Sequence, residues 1–266
     1  MTRDDGPPTA GSRNAAPYTL LAEGYDTVME HVDYEAWADY VYALLMEHHG
    51  AVRSILELGC GTGSLALALQ AYGPFAYRGT DGSEAMVKVA QRKARAAKIP
   101  VTFTPADFRD LPPLPPVDAV LLLYDGLNYV LEPSEIATLF EQVYRALKPG
   151  GLFVFDQSTP LNSLNHPDGF DDAGRTEAFE YLRTSRYDPA THLHTTLFRL
   201  GVDGQTFSET HVQRAYELAE IEYLVAHSPL VRVAAYDGFS LDPADASAER
   251  IHWVLQKGQA GASAEK

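Results

Sequence analysis

The residues with the most legible chemistry are the run Glu57-Leu58-Gly59-Cys60-Gly61-Thr62-Gly63, followed by Asp81 and Asp107. The apolar residues before the glycines read as a short buried strand and those after them as a helix, so the glycines stand where the chain turns. Glycine allows a tight turn and leaves main-chain N–H groups open to a ligand. A helix N-terminus behind such a turn favours negative groups. Asp81 follows Gly61 by twenty residues, at the end of the next strand, where a carboxylate can accept two hydrogen bonds from ribose hydroxyls. Asp107 follows the third strand, within reach of an adenine amino group, and Phe108 beside it can stack on a base. These positions fall at the carboxyl ends of strands, the rim where open α/β sheets bind ligands.

The turn departs from two common phosphate-binding forms. A dinucleotide fingerprint reads G-x-G-x-x-G. Gly59 and Gly61 fit it, but Ser64 stands at the third position and Gly63 makes the pattern G-x-G-x-G. No Gly-Lys-Ser/Thr of a P-loop follows. The turn therefore suits a nucleoside ligand without provision for a pyrophosphate.

These side chains need a scaffold of alternating strands and helices. Trp37, Val41, Leu44 and Leu45 recur at helical spacing over 34–49, and Gly50 suits the helix end. Strands are expected at 54–58, 75–80, 101–104 and 118–124, and helices at 64–72 and 84–97. A helix over 133–147, with Ser134 as its N-cap, is stopped by Pro149-Gly150-Gly151 before a strand from 152. Strands apolar on both faces argue a parallel sheet covered on both sides. After Pro160 the pattern changes to two or three longer strands over 175–216, with turns at Asp188-Pro189 and Asp203-Gly204. A helix over 217–227 and strands at 230–236 and 250–256 complete the chain. The expected organisation is a flexible tail (1–15), an N-terminal helical cover (16–50), an α/β domain (51–159 and 217–257), a β insertion (160–216) and a second flexible tail (258–266).

Five ordered segments resemble the class I S-adenosylmethionine-dependent methyltransferases: Glu57 to Gly63, Gly79 to Met86, Pro105 to Phe108, Asp118 to Asn128, and Leu147 to Phe153. The resemblance covers roughly 50–158. It implies a doubly wound, mainly parallel seven-stranded sheet of Rossmann-like type, with the helical cover and a small antiparallel insertion. It also implies S-adenosyl-L-methionine as cofactor and S-adenosyl-L-homocysteine as product. By that likeness Gly59, Cys60 and Gly61 line the methionine and ribose part, and Asp81 holds the ribose. Met86 packs near the adenine, Asp107 and Phe108 fix the base, and Glu57 supports the amino-acid end. Tyr124 and Asp125 face cofactor and substrate. Gly82 is a departure, because the family often has a larger residue there, covering the adenine. Tyr18 and Tyr25 belong to the cover and can close over the sulfonium, since aromatic faces attract cations.

The reaction implied is in-line transfer of an activated methyl group, in which alignment is the main catalytic contribution. A general base is needed only for a protonated acceptor, and His31, His211, Asp125 or a tyrosine could serve. The acceptor is expected to enter between the cover and the insertion, which acts as a substrate lid or dimer contact. Phe170, Phe179, Tyr181 and Tyr187 are available there to line a pocket or a homodimer interface. An NAD-linked oxidoreductase would share the turn and the ribose acid, but Ser64 speaks against it. A catalytically silent binding module shares every feature named so far.

Composition narrows the acceptor. The chain has 21 Lys and Arg against 36 Asp and Glu, a formal charge of −15. Such a surface repels phosphate backbones and anionic lipid, so a small molecule bearing an amine or hydroxyl is expected, with no nucleic acid and no membrane. The longest apolar stretch, 119–124, is far shorter than a bilayer requires. The first eight residues have no apolar core of a secretory signal. One cysteine, Cys60, allows no internal disulfide and suits a cytoplasmic protein. Its position explains it as a small residue in the turn rather than a nucleophile. His192 and His194, two apart on an expected strand, lack further ligands, so no metal is expected.

Overall fold

The computed structural model describes residues 12–166 and 171–259. Phe170 and the outer parts of the two expected tails, 1–11 and 260–266, lie outside the described residues. The first element is a strand, β1 (Arg13–Ala15), where composition suggests a loose tail. Parallel pairing with a much later strand holds it, Ala15 standing opposite Glu209. A 3-10 turn over Leu21–Gly24 and α1 (Tyr25–Val28) lead to α2 (Tyr34–His48). The Asp33 carboxylate caps α2 by accepting from the Ala36 N–H, and Gly50 ends it at φ +75°.

The α/β part runs β2 (Ser54–Leu58), α3 (Ser64–Leu69), β3 (Ala76–Asp81), α4 (Glu84–Ala97), β4 (Thr102–Pro105), β5 (Val117–Leu122), α5 (Pro133–Ala146) and β6 (Leu147–Ser158). There follow α6 (Pro160–Asn165), β7 (Asp172–Arg175), β8 (Glu180–Asp188), β9 (Leu193–Val202), β10 (Gln205–Arg214), α7 (Leu218–Ala226), β11 (Val231–Asp237) and β12 (Arg250–Gln256).

The large sheet has the order β11-β12-β6-β5-β2-β3-β4. β2 to β6 pair in parallel, and β12 runs antiparallel to both of its neighbours. Strand alternation sends Ile55, Leu121 and Val154 into a core under α2 to α4, and Leu56, Val120 and Phe153 into a core under α5 and α7. The chain winds outward in both directions from β2, so a crevice opens above the carboxyl ends of β2 and β5. The second sheet, β1-β10-β9-β8-β7, is antiparallel apart from β1. Phe198 and Leu200 of β9, with Phe179 just before β8, pack against Leu21, Val28 and Met29. No helix among the described residues is long and apolar enough to cross a membrane.

Three local expectations are corrected. Glu132, not Ser134, is the N-cap of α5, because Pro133 takes the first helical position, where its fixed φ and missing N–H cost nothing. The helix stops at Ala146, and Lys148-Pro149-Gly150-Gly151 already belongs to β6, where the Gly150 N–H donates to the Lys257 carbonyl at 2.9 Å. His192 lies in the turn before β9 at φ +58°, so alternation along a strand does not place it on one face with His194.

Gly63 opens α3 at φ +75°, and a Cβ there would stand 2.7 Å from Phe103 Cζ and 3.1 Å from Ala90 Cβ. Close packing of helix on strand therefore requires this glycine. Gly63→Ala is expected to cost about 1–3 kcal/mol of stability from overpacking. A lower urea midpoint at unchanged m-value would show it, and an unshifted midpoint would count against it.

Candidate active site

All twelve residues expected to contact the cofactor line one cavity of about 510 Å³: Tyr18, Tyr25, Glu57, Gly59, Cys60, Gly61, Asp81, Gly82, Met86, Asp107, Phe108 and Tyr124. The glycine turn makes its floor, with Gly59 at φ +63° and Gly61 at φ +53°. The Cys60 N–H donates to the Thr80 carbonyl at 2.9 Å, which ties the turn to β3. Asp81 is bonded to the turn it was paired with by spacing. Its Oδ2 accepts from the Gly61 N–H and its Oδ1 from the Ser83 N–H, both at 2.8 Å. Burial raises the Asp81 carboxyl above its usual range, against the lowering effect of these N–H groups. Each oxygen keeps acceptor capacity for a ligand. A Cβ at Gly61 or Gly82 would meet nothing within 4 Å, so backbone is open to the cavity at both positions.

Glu57 is buried beneath the turn and accepts from the Tyr77 hydroxyl at 2.9 Å. Burial pushes its carboxyl up to about 8, so it carries a proton at neutral pH. Met86 packs with Ala22 and Val89. Asp107 is held by Arg109, with Nε at 3.0 Å from Oδ1 and Nη2 at 2.6 Å from Oδ2, and these bonds lower its pKa. Burial pushes the Cys60 thiol well above its ordinary value, so it is not a thiolate at neutral pH. Cys60→Ala is accordingly expected to keep S-adenosylhomocysteine affinity within about threefold. A calorimetric titration showing a much larger loss in a folded variant would revive a role for the sulfur.

A second cavity of about 350 Å³ holds the three residues considered as bases, His31, His211 and Asp125, together with Arg183, His194 and Arg250. Tyr18, Tyr25, Tyr124 and Tyr129 line both cavities and form the wall between them. The Tyr18 and Tyr129 hydroxyls are hydrogen-bonded to each other, and Tyr129 Oη lies 3.2 Å from His211 Nδ1. Tyr18, Tyr124 and Asp125 all have positive φ, at +61°, +61° and +62°. Such non-glycine strain costs about 1–3 kcal/mol per residue and persists where surroundings over-determine it, commonly at functional sites.

The second cavity is electrostatically tied to the far end of the sheet. Arg250 Nη1 donates to Asp125 Oδ1 at 2.7 Å and also to Asp156, while Nη2 reaches Asp125 Oδ2 at 3.2 Å. The Asp125 N–H lies 3.3 Å from both Asp156 oxygens. Burial pushes the Asp156 carboxyl up to about 7 even though Arg250 opposes the rise. Asp125 thus arrives already paired. His31 is exposed. His211 is buried, with Nε2 at 3.7 Å from Glu209 Oε2. His194 is bonded to Ser163 Oγ at 3.0 Å, and burial lowers its pKa. Among the described residues no group of three His, Cys, Asp or Glu could hold a metal ion.

Sequence reasoning missed Tyr129 and Arg250, which line the site, and Asp156 and Glu209, which accept hydrogen bonds from the lining residues Asp125 and Tyr18. Arg250 had a signal, as the one Lys or Arg on a mostly apolar last strand, but its partners lie far away in the chain.

The comparisons with known proteins agree with this geometry. A family model described as a methyltransferase domain matches residues 55–151. A putative methyltransferase of Geobacillus sp. (strain WCH70) is 32% identical over 252 residues, covering 90% of this chain and 99% of the relative. A solved S-adenosylmethionine-dependent methyltransferase from Clostridium acetobutylicum ATCC 824 superposes with a TM-score of 0.74 at 26% identity, covering 88% of this chain and 96% of that one. The sugar N-methyltransferase of Streptoalloteichus sp ATCC 53650 shares the fold, with a TM-score of 0.67 at 20% identity over 97% of this chain and 98% of its own. With the glycine turn and the sheet order β4-β3-β2-β5-β6-β12-β11 in place, and a relative of this identity spanning both chains, the chain belongs to the class I S-adenosylmethionine-dependent methyltransferases.

Proposed function

We propose that this enzyme methylates a nitrogen or oxygen of a small-molecule acceptor held in the 350 Å³ cavity, with S-adenosylmethionine held in the 510 Å³ cavity. The observation that carries the reading is the tyrosine wall shared by the two chambers. Bound there, the cofactor supplies a methyl group on a sulfonium whose leaving group is a neutral thioether. The open backbone at Gly61 and Gly82 is space that a nucleoside would fill. In this reading Asp81 accepts from the ribose hydroxyls, while Met86, Asp107 and Phe108 hold the base. Glu57 supports the amino-acid end, and the faces of Tyr18 and Tyr25 attract the sulfonium.

The chain's own task is alignment and, for a protonated acceptor, removal of a proton. His211 is the best placed of the three candidate bases, because it reaches the wall through Tyr129. Asp125, paired with Arg250, orients the acceptor, and the exposed His31 stands at the cavity mouth. A chamber of this size lined by Ser158, Asn162, Ser185, Thr196 and Gln213 fits a compact polar molecule. Its proportions and the acidic surface do not suit a nucleic acid. A nitrogen acceptor has support from the fold shared with a sugar N-methyltransferase.

The test is a labelled-methyl screen over amines, hydroxylated metabolites and proteins, run beside titrations with S-adenosylhomocysteine and NAD. S-adenosylhomocysteine binding with label on a small molecule is expected. Binding with no transfer to any acceptor would leave a silent binding module instead.

A further inference from the structure

We propose that Glu209 is a positioning residue of this site, its buried carboxylate locking Tyr18 into the wall between the two chambers. The proposal rests on reading the larger chamber as the S-adenosylmethionine site.

Glu209 is wholly buried in the insertion, on β10. Among the described residues no lysine or arginine pairs with it, and His211 Nε2 is 3.7 Å away. A buried carboxylate is costly unless hydrogen bonds compensate it. Here three backbone N–H groups do so: Tyr18 at 2.7 Å, Leu20 at 2.6 Å and Leu21 at 3.2 Å. The arrangement resembles an anion-binding nest whose anion is supplied by the protein itself. The segment thus held runs from β1, which pairs with β10 at Glu209, to the 3-10 turn over Leu21–Gly24. Backbone pairing alone would hold β1. The carboxylate acts three to six residues further on, where the chain leaves the sheet.

Tyr18 is fixed at three points. Its N–H donates to Glu209, its carbonyl accepts from Ser83 Oγ at 2.8 Å, and its hydroxyl is bonded to that of Tyr129. Ser83 in turn donates its N–H to Asp81. A tyrosine at φ +61° does not hold that conformation unaided, since the left-handed region is unfavourable for a residue with a Cβ. Glu209 satisfies the N–H of that strained residue and of two that follow it. The insertion is thereby connected through Tyr18 and Ser83 to the acid proposed to hold the ribose. Removal of the charge frees Tyr18 to relax, and the wall of the cofactor chamber loosens with it.

The experiment uses the full chain with S-adenosylhomocysteine as probe. Glu209→Gln is expected to raise its dissociation constant by about tenfold or more, as hydrogen bonds to a charged group are lost. Amide exchange at Tyr18, Leu20 and Leu21 in the free protein is expected to quicken by about a hundredfold, with the β2 and β5 amides unchanged. If Glu209 acts through Tyr18, then Glu209→Gln adds less than about a twofold further loss in a Tyr18→Ala background. Glu209→Asp, which keeps the charge on a shorter arm, should recover part of the affinity. It replaces Glu209→Gln in both measurements if the latter does not fold. Unaltered exchange at the three amides would overturn the proposal, as would fully additive effects of the two substitutions. Failure of the wild-type chain to bind the probe would instead remove the cofactor reading, while the exchange measurement still decides the role of Glu209.

Discussion

Arg250→Met is expected to destabilise the fold by about 3–5 kcal/mol at pH 8 and to recover part of that loss at pH 5. Methionine roughly fills the stem's volume but leaves Asp156 and Asp125 facing each other without a guanidinium. Asp156 is wholly buried, so its charge cannot turn to water. Arg250 also lies over the rings of Trp37 and Tyr124, at 5.7 and 5.8 Å, so the wall of both cavities loses a contact as well.

The pH dependence follows from the direction of the shift. Burial holds the Asp156 carboxyl in the folded protein well above the ordinary value of 3.8, up to about 7. Between those values the folded state binds more protons than the unfolded state, so this group's contribution to stability falls as pH rises through them and is level above 7. Arg250 is the attraction that holds the value as low as 7. Without it the carboxyl moves higher still, and the variant loses stability over a wider span of pH than the wild type. Urea midpoints of both proteins at pH 5 and pH 8 read the effect, because titrating groups away from Arg250 cancel in the difference. A loss equal at the two pH values would mean that Asp156 is not the group left uncompensated.

What the sequence made legible is what local spacing encodes. Gly59, Gly61, Asp81, Asp107 and Phe108 each sit at a strand end, and once the strands are parallel and ordered, those ends converge. The apolar runs and the Asp203-Gly204 hairpin turn were readable for the same reason: period and turn chemistry act within a few residues. Pairings across the chain were not readable. Arg250 meets Asp125 over 125 positions, and Tyr18 meets Glu209 over 191. A buried charge has no periodicity of its own, and on β10 Glu209 stands between the polar residues Ser208 and Thr210, so nothing in the pattern marks it as buried. β1 has the composition of a tail because its bonds to β10 are made by backbone, which leaves no mark on composition. Pro149-Gly150-Gly151 marks a break between helix and strand in the sequence, yet the helix ends earlier and strand pairing begins before the apolar run, since Leu147 is already opposite Val117.

Asp81→Ala is expected to raise the dissociation constant for S-adenosylhomocysteine by about a hundredfold, a loss of ~3 kcal/mol from hydrogen bonds to a charged acceptor. The carboxylate has two tasks. It holds the Gly61 and Ser83 N–H groups in place, and its remaining lone pairs face the larger cavity. Alanine abandons both, so the turn loosens as the proposed ribose acceptor disappears. Asp81→Asn separates the tasks. Its carbonyl oxygen can still serve one N–H, but its amide nitrogen meets the other donor, and an intermediate affinity is expected. Protonation of the wild-type carboxyl mimics part of the same change. Burial raises its pKa, so affinity should weaken as pH is lowered toward that raised value, and the dependence should shrink in Asp81→Ala, where Glu57 is the raised carboxyl that remains in the cavity. Titrations at pH 8 and pH 5 on folded proteins check both statements. An alanine variant that is folded and binds as tightly as the wild type would take Asp81 out of the site, and with it the geometric basis for the ribose.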